Sequence, residues 1–151
     1  MHRILAISMA ASALACCASA AEKKSQLKDL PPAVQKTVQD ELKGGEIKSI
    51  GKETEDGIAQ YEIETIRAGK HRDFNVDTKG KLLVVEEETS IDAIPAPARA
   101  AILKKIGSGR LRTVETVDKG NGAMLYEAAY TASNGKRHEI LVKADGTETK
   151  D

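Results

Sequence analysis

The chain repeats itself. In "DLPPAVQKTVQDELKGGEIKSI", Leu30, Val34, Val38 and Leu42 stand four apart, and Ile94, Ala98, Ile102 and Ile106 stand at the same spacing, each 64 residues later. Apolar residues four apart form one stripe of an amphipathic helix. Pro31 and Pro95 coincide at the start of each stripe, where a first helical turn needs no backbone N–H. Gly45 and Gly109 are expected to end the two helices. Further on, Tyr61-Glu62 matches Tyr126-Glu127 at an offset of 65, while Gly69-Lys70 matches Gly135-Lys136, Val76 matches Val142 and Gly80 matches Gly146, all at 66. The drift falls in turns, where insertions are tolerated. A period of this length holding one helix and several strands predicts two copies of one helix-plus-meander unit.

The strands show a two-residue period. Ala59, Tyr61, Ile63 and Thr65 are expected on the helix side, with Phe74 and Val76; their counterparts are Met124, Tyr126, Ala128, Tyr130, Ile140 and Val142. The alternate positions carry Gln60, Glu62, Glu64, Asp73, Asn75 and Asp77, then Glu127, Glu139, Leu141 and Lys143. One apolar and one polar face indicate an antiparallel sheet covered on one side. Leu82 to Val85 is a continuous apolar run, whereas its counterpart "TETKD" is polar and reads as an edge strand or a frayed end. "DTKG", "NG" and "DG" mark turns, the last shorter than the first. A unit of about 65 residues is small for a core of its own. The expected fold class is therefore α+β: two helix-plus-antiparallel-meander repeats, 29–88 and 93–148, forming one continuous sheet with the helices packed on one face. These make a single domain over 29–151, after a flexible segment at 21–28, with "EEETSIDAI" as the link between repeats.

Residues 1–20, "MHRILAISMAASALACCASA", have the organisation of a secretory signal: basic His2 and Arg3, an apolar stretch Ile4–Ala15, and an A-x-A cleavage site ending at Ala20. The apolar stretch is too short to span a bilayer, and no later segment resembles a transmembrane helix. Cys16 offers a lipoprotein alternative, but Ala13 stands where a lipobox prefers Leu, so cleavage after Ala20 and a periplasmic or secreted protein is the favoured reading. Both cysteines lie in this leader, which leaves the mature chain without thiol chemistry. Removing Arg3 from the 23 basic residues leaves 22 against 23 acidic ones, so the charge excess of a nucleic-acid binder is missing. The only aromatics are Tyr61, Phe74, Tyr126 and Tyr130, too few for a base-stacking platform.

A helix opening with "LP", a glycine-terminated bend, a strand around "YEIE" and the hairpin "FNVDTKGKLL" resemble the PepSY-like domain family. Val76, Asp77, Gly80 and Leu82 match its V-D, D-x-x-G and apolar-strand pattern; in the second copy Lys143 replaces the acid that opens the turn. The tandem arrangement is similar in architecture to β-lactamase inhibitor proteins. The resemblance implies a secreted, non-enzymatic binding or inhibitory module, one that restrains a peptidase or another envelope enzyme.

Candidate sites are few. His71-Arg72 and Arg137-His138 occupy matching positions in swapped order, and the two imidazoles are weak metal candidates, since cysteine and closely spaced acidic ligands are missing. They support the alternative reading, a periplasmic carrier of a metal or small ligand. Glu86-Glu87-Glu88 reads as a solvated run before the linker. No G-x-S-x-G, H-E-x-x-H or P-loop pattern is present, so no catalytic residue, cofactor or enzyme activity is assigned. The expected interaction face is the polar one, with Glu62, Glu64, Asp73, Asn75, Glu127, Glu139 and Leu141, and the expected partner is an envelope or secreted protein, not nucleic acid. Strand addition along the "TETKD" edge is a second route to such a partner.

Overall fold

The computed structural model describes residues 25–55 and 57–150. The signal sequence, its cleavage site at Ala20 and Cys16 lie outside the described residues. After a short 3-10 turn at Leu27–Asp29, the chain runs α1 (Pro32–Leu42), β1 (Glu46–Glu55), β2 (Ile58–Arg67), β3 (Lys70–Asp77) and β4 (Leu82–Thr89). It continues through α2 (Ala96–Ile106), β5 (Arg110–Asp118), β6 (Met124–Thr131), β7 (Arg137–Lys143) and β8 (Glu148–Thr149). All eight strands join one antiparallel sheet in sequence order, and β4 pairs directly with β5.

Each helix begins behind a proline, Pro31 or Pro95, at its N-cap. The ends differ from expectation. α1 stops at Leu42 with Lys43 in the left-handed region, and α2 stops at Ile106 with Gly107 as its cap. Gly45 and Gly109 come later and serve close approach: a Cβ on Gly45 would lie 3.2 Å from the Ile66 carbonyl, and one on Gly109 would lie 2.7 Å from that of Thr131.

Two apolar clusters form. Leu30, Val34 and Val38 pack with Ile50, Tyr61, Ile63, Phe74 and Val76. Ile94, Ala98, Ile102 and Ile106 pack with Val114, Ala128, Tyr130, Ile140 and Val142. A fully buried aliphatic or aromatic side chain contributes about 1.5–3 kcal/mol, so these stripes supply the force that holds both helices to the sheet. Ala59 and Met124, expected among them, are exposed. They sit near the β1–β2 and β5–β6 hairpin tips, where Ala59 pairs Thr54 and Met124 pairs Asp118.

The hairpin turns brace the helices. The Asp77 carboxylate accepts hydrogen bonds from the Lys79 and Lys81 N–H groups, and Gly80 takes φ +88° against the Ala33 backbone. Thr37 then donates its hydroxyl to the Gly80 carbonyl at 2.6 Å. In the second turn Gly146, at φ +85°, lies against the Pro97 carbonyl. That turn is not shorter: Gly146 N–H bonds Lys143 O and Lys143 N–H bonds Thr147 O, as Gly80 bonds Asp77 and Asp77 bonds Lys81. Replacing the opening acid leaves the turn length unchanged because its closing bonds are all backbone.

One further expectation changes, and the short C-terminal edge strand agrees with the sequence. Glu86, Glu87 and Glu88 belong to β4 and are partly buried, because the strand continues to Thr89 before the linker begins. The "TETKD" end supplies only the two residues of β8, which pair with Leu141 and Val142.

Candidate functional site

Strand register assembles the polar face residue by residue. Glu53 pairs Gln60, which pairs Asp77; Gly51 pairs Glu62, which pairs Asn75. Asp73 pairs Glu86, and Glu86 pairs Val117. Glu88 pairs Glu115, Glu115 pairs Glu127, and Glu127 pairs Leu141. Glu139 stands beside Ala129. The pairing of β4 with β5 thus joins the acids of the first half to those of the second. Glu53 and Glu115 were missed in the sequence, and Glu86 and Glu88 were read only as a solvated run. Glu115 lies at the strand position alternating with Val114, a signal that two-residue periodicity offered.

Hydrogen bonds organise part of this surface. The Gln60 amide donates to Glu53 at 2.8 Å and to Glu55 at 2.9 Å, and Asn75 donates to Glu53 at 3.2 Å. Ser49 donates its hydroxyl to Glu64 at 2.6 Å, and the Thr65 N–H donates to Asp73 at 2.8 Å. Glu62 lies over Gly51, whose missing side chain leaves the carboxylate room; a Cβ there would come 3.6 Å from Glu62 Oε2.

The face is less solvated than its composition suggests. Gln60, Glu127 and Leu141 are only 3%, 6% and 7% exposed, which corrects the expectation of an open polar surface, although Leu141 keeps its outward parity opposite Glu127. Desolvation and like charge act together here. Burial, then Glu53, Glu64, Asp73 and Glu55, push the Glu62 pKa up to about 7. Burial also raises Asp73, against the Thr65 N–H bond and the charge of His71. Glu115 is raised by burial, by Asp73 and by the nearby Glu88 and Glu139, with His71 opposing. A carboxylate set under this strain gains from a cation brought against it.

The two histidines are not brought together. His71 is on β3, where its backbone N–H bonds Glu88 at 3.2 Å. His138 is on β7, with three strands between, and stacks on Tyr130 with ring centroids 5.5 Å apart. Among the described residues, no group of three His, Cys, Asp or Glu side chains is placed to hold a metal ion.

Arg72, named in the sequence only as the neighbour of His71, is a buried charge. It is 3% exposed and crosses to α1, donating to the Glu41 carbonyl at 2.8 Å and to its carboxylate at 2.6 Å. Its guanidinium lies 5.5 Å from the centre of the Phe74 ring. Glu87, the middle acid of its run, turns to this side and pairs with Arg67. Burial raises the Glu41 pKa, but the hydrogen bonds from Arg72 and Lys43 outweigh it and leave the carboxyl below its ordinary value.

No family model matches the chain, and no curated protein matches it. Solved structures do. The chain is similar to a protein from Bacteroides eggerthii described as periplasmic (14% identity, TM-score 0.65, covering 81% of this chain and 88% of that one). It is also similar to a DUF2874 family protein from Bacteroides ovatus (14%, TM-score 0.63, 80% and 85%). A BLIP-like protein from Bacteroides fragilis matches at 19% identity and TM-score 0.56, over 81% and 86% of the two chains. At these identities the likeness is one of fold. No helix among the described residues is long and apolar enough to cross a membrane.

Proposed function

We propose that this chain is an exported binding module without a reaction of its own, built from two copies of one PepSY-like helix-plus-meander unit. Its acidic sheet face engages a basic surface of another envelope protein. The observation that carries this reading is the crowding of Glu62, Asp73 and Glu115, whose pKa values all rise through burial and neighbouring acids. A cationic partner relieves that repulsion, and complementary charge steers and aligns the encounter. Register supports placing both helices on the other side: Phe74 pairs Val85, Val85 pairs Asp118, and Asp118 shares its face with Val114. Phe74 belongs to the α1 cluster and Val114 to the α2 cluster.

Export is supported by the signal pattern over 1–20 and by one fold neighbour described as periplasmic. The PepSY-like pattern and the BLIP-like neighbour favour a restrained peptidase or other envelope enzyme as the partner class. The test is capture. Mature chain, 21–151, immobilised at low salt is expected to retain one basic envelope protein, to release it as salt rises, and to lose it in a Glu62→Gln/Asp73→Asn/Glu115→Gln variant. Retention indifferent to both salt and variant, or no retention at low salt, overturns the proposal.

A further inference from the structure

A second site lies at one end of the polar face, where β5 begins and β6 ends. Ser108 and Gly109 after α2, Arg110 and Arg112 of β5, Thr131 at the end of β6, and the following Ala132 and Ser133 line a solvent-open cavity of about 330 Å³. Backbone geometry builds it. The register between β5 and β6 slips between Leu111 and Thr113, leaving Arg112 as the extra residue of a bulge, a device that re-aims a side chain. Its Nε donates to the Thr131 hydroxyl at 3.0 Å. Thr131 also has Arg110 opposite it on β5 and Arg137 opposite it on β7. Gly109, with no room for a Cβ against the Thr131 carbonyl, lets the Ser108 loop close one wall.

The first repeat shows what this corner looks like when it is neutral. There Glu46 stands opposite Ile66, and Lys48 occupies the bulge and pairs with Glu46 at 3.1 Å. In the second repeat the acid has become Arg110, the lysine Arg112 and the isoleucine Thr131. Arg110, Arg112 and Arg137 have no carboxylate partner among the described residues. The C-terminal end of α2 brings partial negative charge toward Ser108, but Lys104 and Lys105 in its last turn offset it.

We infer that this cavity binds a phosphate-type oxyanion. Guanidinium groups present paired N–H donors that match phosphate oxygens. The Thr131 oxygen accepts from Arg112, so its hydrogen remains to donate, and Ser108 and Ser133 add hydroxyl donors. The volume suits a phosphate with a modest attached group. Such a group comes from a soluble phosphate or from a lipid headgroup.

Titration calorimetry with inorganic phosphate at low, constant ionic strength tests the site, alongside sedimentation with phosphatidylglycerol and phosphatidylcholine vesicles. The parent is expected to bind, and Arg110→Gln/Arg112→Gln to weaken binding by about tenfold or more. Lys70→Gln/Lys79→Gln removes the same charge elsewhere and is expected to leave affinity unchanged. Binding of free phosphate assigns a soluble ligand; arginine-dependent binding only to phosphatidylglycerol vesicles assigns a headgroup. Binding to neither, indifference to the arginine change, or an equal loss in the lysine control overturns the inference. All four substituted side chains are on exposed residues, and a melting curve of each variant verifies that the fold persists.

Discussion

The two halves of this molecule fasten their helices to the same sheet in different ways. In the first, Glu41 in the last turn of α1 meets Arg72, a bond pair sealed between helix and strand with the guanidinium over Phe74. In the second, the residue 64 positions after Glu41 is Lys105, which reaches along the surface to Glu148 at 2.9 Å. The residue 66 positions after Arg72 is His138, exposed and stacked on Tyr130. The order of the histidine and arginine in "HR" and "RH" decides this, because neighbouring residues of a strand point to opposite faces. The swapped order places a buried clamp in one half and a surface contact in the other, and sets Arg137 opposite Thr131 instead.

The sharpest way to break this comparison is Arg72→Ala set beside His138→Ala. Removing Arg72 takes the side-chain donor from the Glu41 carbonyl and leaves the carboxylate with Lys43 alone in a part-buried corner, and is expected to cost about 3 kcal/mol. Removing His138 forfeits one ring contact, about 0.5–1 kcal/mol. Equal losses in urea unfolding sink the claim that only the first half is clamped.

Next in size is Glu62, which carries the opposite sign. In the fold its pKa is about 7, against an ordinary 4.5, so between those values the folded chain holds the proton more tightly than the unfolded one. Stability therefore rises as pH falls from about 7 toward 4.5, and the cost of the charged group is complete above pH 7. Glu62→Gln is expected to stabilise the protein at about pH 8 by on the order of 1 kcal/mol, after discounting the shift for solvent screening, and to make no difference near pH 4. Melting curves at both pH values check it; a variant less stable than the parent at the higher pH counts against the strain assigned to the acidic face. The smallest effect is that of Lys105→Ala. Its pair with Glu148 is largely exposed, and such pairs contribute little; the melting temperature is expected to stay within experimental scatter.

Much of the fold was legible because its signals are local. The four-residue stripes gave both helices, and proline at matching positions gave their starts. Other features needed knowledge that a period alone does not carry. Arg72 shares the strand parity of Phe74 and Val76, yet an arginine reads as surface until a partner such as Glu41 is placed above it. The run at Glu86–Glu88 concealed a strand, since three like residues show no alternation even when the middle one turns to the helix side. Leu141 and Glu127 have the expected parity and are nonetheless buried, and burial depends on the strands set beside them, which the pattern of one strand does not show. The arginine cavity rests on a bulge, and a one-residue slip in pairing leaves no mark in hydropathy.

The strand order carries a last consequence, for how the chain reaches this structure. Because every strand pairs with its sequence neighbours and none inserts between earlier ones, seven successive pairings close short stretches of chain. The longest of these spans only α2 and its flanking turns. Closing short loops carries a small entropic penalty, and local pairing favours rapid folding. A chain delivered from its amino end can therefore build its sheet in the order in which it arrives, each finished hairpin serving as the template for the next.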